Sequence, residues 1–154
     1  LTLLGDSLKG VAAVLLARAI GANESIVVWA ALAAFVGHVF PVFHGFKGGK
    51  GVATAAGVLL ALDPWLGAPT LLSWVLIAFF FRYSSLAALV AAVFAPFWQV
   101  FLHGVGVTAM AVAIMSAILI ARHRANIVKL MNGTESRIGG AGGSPGSGAG
   151  KPRG

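Results

Sequence analysis

The chain has 154 residues, of which 58% are hydrophobic and only 10% charged, with 21 glycines and a net charge of +7. An ordinary soluble domain carries about 25% charged residues, so this composition excludes a water-soluble enzyme and a disordered chain alike. The apolar residues fall in long runs, which leaves an all-α, polytopic membrane bundle. No cysteine is present, so a disulfide framework, a thiolate nucleophile and a cysteine metal site are excluded as well. The basic residues lie between apolar runs, so the positive balance reads as membrane topology and anionic ligands rather than nucleic acid.

Six apolar segments follow one another, at about 8–22, 26–43, 51–62, 64–81, 85–102 and 105–121. A spanning helix takes roughly 17–25 residues, a length that the second, fourth, fifth and sixth segments reach. The first and third are short and interrupted by glycine. Such helices are tolerated where they line a filled cavity, which points to a site beside these two; a locally thinned bilayer explains them equally well. The sequence opens at Leu1 without an initiator methionine or a signal-peptide n-region, and a truncated N-terminus is expected.

Asp6 and Lys9 stand three apart where the first segment begins and are placed to pair at its rim. His38 lies late in the second segment, ahead of Pro41, where it can orient the following loop or bind a ligand. From Gly37 to Thr54 the chain reads GHVFPVFHGFKGGKGVAT. Gly48, Gly49 and Gly51 let backbone N–H groups come close to an anion, Lys47 and Lys50 add positive charge, and the loop opens a helix whose N-terminus favours anions. Phosphate fits this pattern, although the spacing is not that of a Walker A loop. The plain alternative is a tight basic turn, and His44 within it has no identifiable partner.

Further along, Pro64 suits the first turn of the fourth segment, Ser84 and Ser85 offer caps to the fifth, and Pro96 is expected to kink it. After the sixth segment comes RHRANIVKLMNGTE, residues 122–135. If the helix continues, His123 and Asn126 share a face and Arg122, Asn126 and Lys129 align, giving an interfacial helix with a polar side. Histidine at a phosphate site can hydrogen-bond an anion or move a proton; a basic membrane-surface helix is the alternative. Glu135 is expected to form a structural salt bridge with an arginine or to act as a base. Residues 139–154 are a glycine-rich tail expected to be disordered, so the membrane domain covers 1–138.

The links between the first and second, third and fourth, and fifth and sixth segments carry neither lysine nor arginine. The other side collects Lys9, Lys47, Lys50, Arg82, Arg122, Arg124, Lys129 and Arg137, together with Lys151 and Arg153 of the tail, which is ten of the eleven basic residues. By the positive-inside rule that side is cytoplasmic. Arg18 alone disagrees and is expected to snorkel outward. No Ser–His–Asp set, metal-ligand pair or nucleotide fingerprint is visible. A cytoplasmic phosphate site on a membrane protein suggests an enzyme joining a soluble phosphate compound to a lipid. A transporter or channel subunit for a small anion, or a membrane scaffold, would use the same loop as a gate or a headgroup contact.

The Gly37–Thr54 stretch resembles the second signature of the acyl-phosphate:glycerol-3-phosphate acyltransferase (PlsY) family, and His123–Glu135 resembles the third. The opening LTLLGDSLKG resembles the segment leading into the family's second membrane helix, so the resemblance covers about 1–139. It implies transfer of a fatty acyl group from acyl phosphate to the sn-1 hydroxyl of glycerol 3-phosphate, with no cofactor and no metal, in a monomer of the bacterial inner membrane whose active site faces the cytoplasm. The six segments would then be helices two to seven of a seven-helix family. A first helix and a first signature with an essential Ser and Arg would precede Leu1. The resemblance assigns His123 and Asn126 as catalytic and Lys47, Gly48, Gly49, Lys50, Gly51, Thr54 and His38 as phosphate- or substrate-binding, with Asp6, Lys9 and Glu135 in support.

Overall fold

The computed structural model describes residues 2–40 and 49–139. His44, Lys47 and Gly48 of the glycine–lysine loop lie outside the described residues, as does the tail beyond Gly139. Among the described residues the fold is all-helical: α1 (Thr2–Ala19), α2 (Glu24–Val39), α3 (Val52–Leu62), α4 (Pro64–Phe81), α5 (Ser84–His103), α6 (Val107–Arg122) and α7 (Arg124–Met131).

Local chemistry sets the boundaries. α1 begins at Thr2, well before the first apolar segment, so Asp6 and Lys9 are already inside the helix. Asn23 caps α2 by accepting from the Ile26 N–H at 3.0 Å. That helix ends at Val39 rather than running on to 43, because Phe40 precedes a proline and leaves the α region (φ −124°, ψ 66°). Asp63 caps α4, accepting from the Trp65 N–H at 2.8 Å, with Pro64 in the first turn as expected. The expected serine caps of α5 are not used: Tyr83 is the N-cap residue and Ser84 and Ser85 are helical.

α4 contains Pro69. A proline cannot donate to the carbonyl four residues back, here that of Trp65. The indole N–H of Trp98 on α5 donates to that oxygen instead, at 2.9 Å. The helix after the sixth segment does not continue straight, since α6 and α7 are bent by 58°. His123 is both the last cap of one helix and the first of the other. The aligned polar face expected across Arg122, Asn126 and Lys129 is therefore split between two axes.

α1 packs on α2 and α3, α3 on α4, α4 on α5, α5 on α6, and α2 on α6. Two glycines bring α1 and α3 together. A Cβ on Gly10 would stand 2.7 Å from the Thr54 carbonyl oxygen, and one on Gly57 would strike the Ser7 carbonyl. Val14, Val27, Phe35 and Val58 are fully buried at the centre. A smaller cluster of Leu59, Leu66, Ala95 and Val112 sits to one side. At the ends of α1 and α3, Arg18 does more than reach solvent. Its guanidinium donates to the Ala61 and Leu62 carbonyls at 2.8 and 2.9 Å and pairs with Glu24 at 3.3 Å. These carbonyls belong to the last turn of α3, which has no intrahelical donors left. Nearby, His103 Nε2 meets Asp63 Oδ2 at 2.6 Å.

Among the described residues α4 and α5 are long and apolar enough to span a bilayer, and α6 with α7 makes a third if the bent pair is one span; α2 and α3 are apolar but shorter.

Candidate active site

At the end of the bundle opposite Arg18, the helices surround a cavity of about 820 Å³. α1 contributes Asp6 and Ser7, and α2 contributes His38. The segment Gly49–Gly51 enters from the loop, and Ser84 and Ser85 from the start of α5. His123 and Asn126 come from the α6–α7 junction, and residues 135–138 close the rim. Below this polar mouth the walls are mostly apolar: Leu59 and Leu60 on α3, Leu71 and Trp74 on α4, four alanines on α5, and Val112, Met115 and Leu119 on α6, with Thr70 and Ser116 as the polar exceptions there.

The mouth is built tightly. Gly51 caps α3 in the left-handed conformation at φ +83°, and a Cβ there would lie 2.6 Å from the Phe35 ring and 2.8 Å from Val39. A Cβ on Gly49 would lie 2.8 Å from His38 Nε2. The other ring nitrogen of His38 is 3.6 Å from Asp6 Oδ1, and the same oxygen accepts from Lys9 Nζ at 3.2 Å. The expected Asp6–Lys9 pair therefore forms and extends to the histidine that backs the glycine loop.

Across the mouth, His123 is 2% exposed and its Nδ1 lies 2.8 Å from the Leu119 carbonyl. A carbonyl only accepts, so Nδ1 carries the hydrogen, and Nε2 is the acceptor nitrogen of the neutral ring. Glu135 Oε1 accepts from Ser85 Oγ at 2.6 Å and from Asn126 Nδ2 at 2.7 Å. That bond fixes the Asn126 amide and leaves its Oδ1 to accept from a ligand hydroxyl. Burial raises the Glu135 pKa, but the bonds from Ser85 and Asn126, with the positive charges of Lys50 and Lys129, outweigh it and hold the carboxyl below its usual value. Glu135 thus works through hydrogen bonds to α5 and α7, where the sequence suggested an arginine salt bridge.

Residues 135–138 are held from below by the α4–α5 turn. Arg82, itself left-handed at φ 60°, donates through Nη2 to the Ile138 carbonyl at 2.8 Å and accepts the Ile138 N–H at its own carbonyl at 2.6 Å. Arg137 Nε donates to the Tyr83 hydroxyl at 3.0 Å.

The structure therefore brings Asp6, His38, Gly49, Lys50, Gly51, His123, Asn126 and Glu135 to one cavity. Lys9 stands behind it, bound to Asp6. Thr54 is fully buried, does not line the cavity, and its hydroxyl has no hydrogen-bond partner. Lys47 and Gly48 lie outside the described residues. No group of three His, Asp or Glu side chains suited to a metal occurs among the described residues. Sequence reasoning missed Ser85 as the Glu135 partner and the clasp of Arg82, Tyr83 and Arg137. Serine at a helix start suggests a cap, and the Ser85 hydroxyl is instead used by Glu135. The clasp joins positions more than fifty apart, which no local pattern reports.

A helical membrane protein with a glycine–lysine loop, a buried histidine and an apolar cavity beneath them fits an enzyme that works at the boundary of water and lipid. The match to known proteins is specific. The glycerol-3-phosphate acyltransferase family model covers residues 1–133, and the chain belongs to this family. It is 61% identical over 142 residues to the glycerol-3-phosphate acyltransferase of Cupriavidus metallidurans, covering 90% of this chain and 70% of the relative. It is 63% identical over 143 residues to that of Cupriavidus taiwanensis, covering 90% and 71%. The crystal structure of PlsY, an integral membrane glycerol 3-phosphate acyltransferase, in its glycerol 3-phosphate form superposes with a TM-score of 0.82 at 36% identity, covering 89% of this chain and 69% of that one. The lysophosphatidic acid form superposes with a TM-score of 0.81 at the same identity. None of these comparisons supports the transporter, channel or scaffold readings.

Proposed function

We propose that this chain transfers a fatty acyl group from acyl phosphate to the sn-1 hydroxyl of glycerol 3-phosphate, releasing phosphate and forming lysophosphatidate for phospholipid synthesis. The observation that carries the reading is the two-part cavity: glycines, Lys50, His123 and Asn126 ring its mouth, and an apolar shaft continues below. A relative solved with glycerol 3-phosphate and with lysophosphatidic acid supports the same division into a polar head and a single acyl chain.

In this reading Lys50, the backbone N–H groups of Gly49 and Gly51, and the positive end of α3 hold phosphate. Lys47 and Gly48 extend that loop, and His38 supports it from behind. Asn126 Oδ1 accepts from a glycerol hydroxyl. The hydroxyl oxygen attacks the acyl carbon, the bond from that carbon to the phosphate oxygen breaks, and phosphate leaves with the electron pair. His123 Nε2 takes the hydroxyl proton and passes it to the departing phosphate. Acyl phosphate arrives activated, so positioning and charge stabilisation suffice without a protein nucleophile or a cofactor.

In this reading the protein is a multi-pass protein of the bacterial inner membrane, active as a monomer. Six of its spans lie in the membrane domain 1–138, and the cluster of basic residues faces the cytoplasm. Residues 139–154 are the glycine-rich segment that follows that domain in sequence. The test is Lys50→Ala in membranes containing the protein as encoded. Lysophosphatidate formed from palmitoyl phosphate and labelled glycerol 3-phosphate, without CoA or ATP, should fall at least ~10-fold, the scale of losing a preorganised charge contact. Unchanged turnover at equal protein abundance overturns the phosphate-loop assignment.

A further inference from the structure

The apolar shaft has a definite depth, and three helices report it independently. Helices rise about 1.5 Å per residue. On α5 the cavity runs from Ser85 at the mouth to Ala95, about 15 Å by that rise. On α6 it runs from His123 down to Val112, about 16 Å. On α3 it runs from Gly51 to Leu60, about 13 Å. α4 meets it at Gly67 near the bottom and Trp74 further up. The hydrocarbon core of a bilayer is about 30 Å thick, so one leaflet takes about 15 Å. The shaft is thus about as deep as one leaflet of hydrocarbon.

The bottom is closed by packed side chains. Leu59, Leu66, Ala95 and Val112 form the second core cluster, with Leu66 fully buried and Ala95 and Val112 at 3% and 1% exposure. Leu59, Ala95 and Val112 line the cavity and Leu66 backs them. Gly67 lets α4 close against α3, because a Cβ there would strike Leu60 backbone. Protein interiors are packed closely enough that adding or removing a few methylenes at such a site is felt directly. The wall above is narrow-sided only where it must be: Ala88, Ala91, Ala92 and Ala95 recur at helical spacing along α5 and leave room for a chain.

We propose that Ala95 of α5 and Val112 of α6, seated on Leu59 and Leu66, form the floor on which the acyl chain of the donor ends, and so set the chain length the enzyme prefers. This rests on the acyl-phosphate reading above and adds the residues that measure the chain. Ala95 and Val112 touch only the far end of the chain, remote from the reacting carbon. Their effect therefore depends on chain length and leaves glycerol 3-phosphate use alone.

The experiment measures kcat/KM for decanoyl, palmitoyl and stearoyl phosphate in membranes containing the protein as encoded. Ala95→Phe raises the floor, and the palmitoyl-to-decanoyl ratio should fall at least ~10-fold, the scale for a pocket short by a few methylenes. Val112→Ala lowers the floor and should raise the stearoyl-to-palmitoyl ratio. It keeps the test decisive if the larger side chain prevents folding. Val93→Phe, on the exposed side of α5, should leave both ratios unchanged. Equal loss at every chain length in Ala95→Phe, with no shift in Val112→Ala, overturns the floor. Absence of turnover with any acyl phosphate in the parent protein overturns the donor assignment instead.

Discussion

Gly51→Ala is the substitution whose cost the structure specifies most fully. Gly51 holds φ +83°, a left-handed conformation that costs an L-residue about 1–2 kcal/mol. The added Cβ would also stand 2.6 Å from Cε2 and 3.0 Å from Cζ of Phe35, and 2.8 Å from Val39 Cγ2. Phe35 and Val39 are both fully buried in the main core, so neither can swing clear. Overpacking of that kind costs about 1–3 kcal/mol. The sum is roughly 2–5 kcal/mol, a large part of the ~5–15 kcal/mol that stabilises a typical domain. The same residue starts α3, so relief by backbone movement would displace the Lys50 backbone and the helix N-terminus together. The assay is thermal unfolding in detergent beside the KM for glycerol 3-phosphate. The variant should unfold well below the parent and, where folded, show a raised KM. Gly5→Ala is the control: nothing lies within 4 Å of its added Cβ, and alanine within a helix should stabilise by about 0.5–1 kcal/mol. If Gly51→Ala unfolds at the parent temperature with unchanged KM, neither the left-handed cap nor its contact with Phe35 constrains the loop.

Two further outcomes follow from single interactions. Trp98→Phe should cost about 1 kcal/mol by leaving the Trp65 carbonyl without a donor. In a Pro69→Ala background the restored backbone N–H serves that carbonyl, so a double-mutant cycle should show the loss shrinking; additive effects refute the pairing. Glu135 is the pH-dependent case. Its folded pKa lies below the ordinary 4.5, so its stabilising contribution is complete above that value and is lost as pH falls through the lower folded pKa. Unfolding measured against pH should therefore show a stability gap between the parent and Glu135→Gln that narrows on acidification, and a gap independent of pH contradicts the ionised carboxylate.

The sequence made the helical pattern legible because apolar runs and their breaks are local. The fourth segment, 64–81, matches α4 residue for residue, since Asp63 and Pro64 mark its start without help from elsewhere. Errors arose where a distant group or a neighbouring peptide decides. Phe40 ends α2 because Pro41 restricts it, which shortens a helix that hydropathy alone would carry further. Ser85 looked like a cap because serine favours helix starts, yet its hydroxyl serves Glu135, fifty residues away. Arg18 looked misplaced by charge topology, but it supplies the donors that the last turn of α3 lacks.

The site divides along the same line. Gly49, Lys50 and Gly51 were legible as cavity residues because a glycine–lysine loop is a contiguous feature, and His123 with Asn126 because they stand three apart in a stretch that resembles a known signature. The shaft beneath them was not legible, since its walls come from four helices and its residues are ordinary core types. Alanine at 88, 91, 92 and 95 reads as helix packing until α4 and α6 are seen to leave space opposite it. In the proposed function the chemistry of the head group is thus written in short motifs, whereas the fit to the chain is written in residue volumes. Head-group substitutions such as Lys50→Ala should change turnover for every donor, and floor substitutions such as Val112→Ala should change only the order of preference among them. That separation follows from distance: about 15 Å of helix stands between Ser85 and Ala95, beyond the range at which independent sites usually couple.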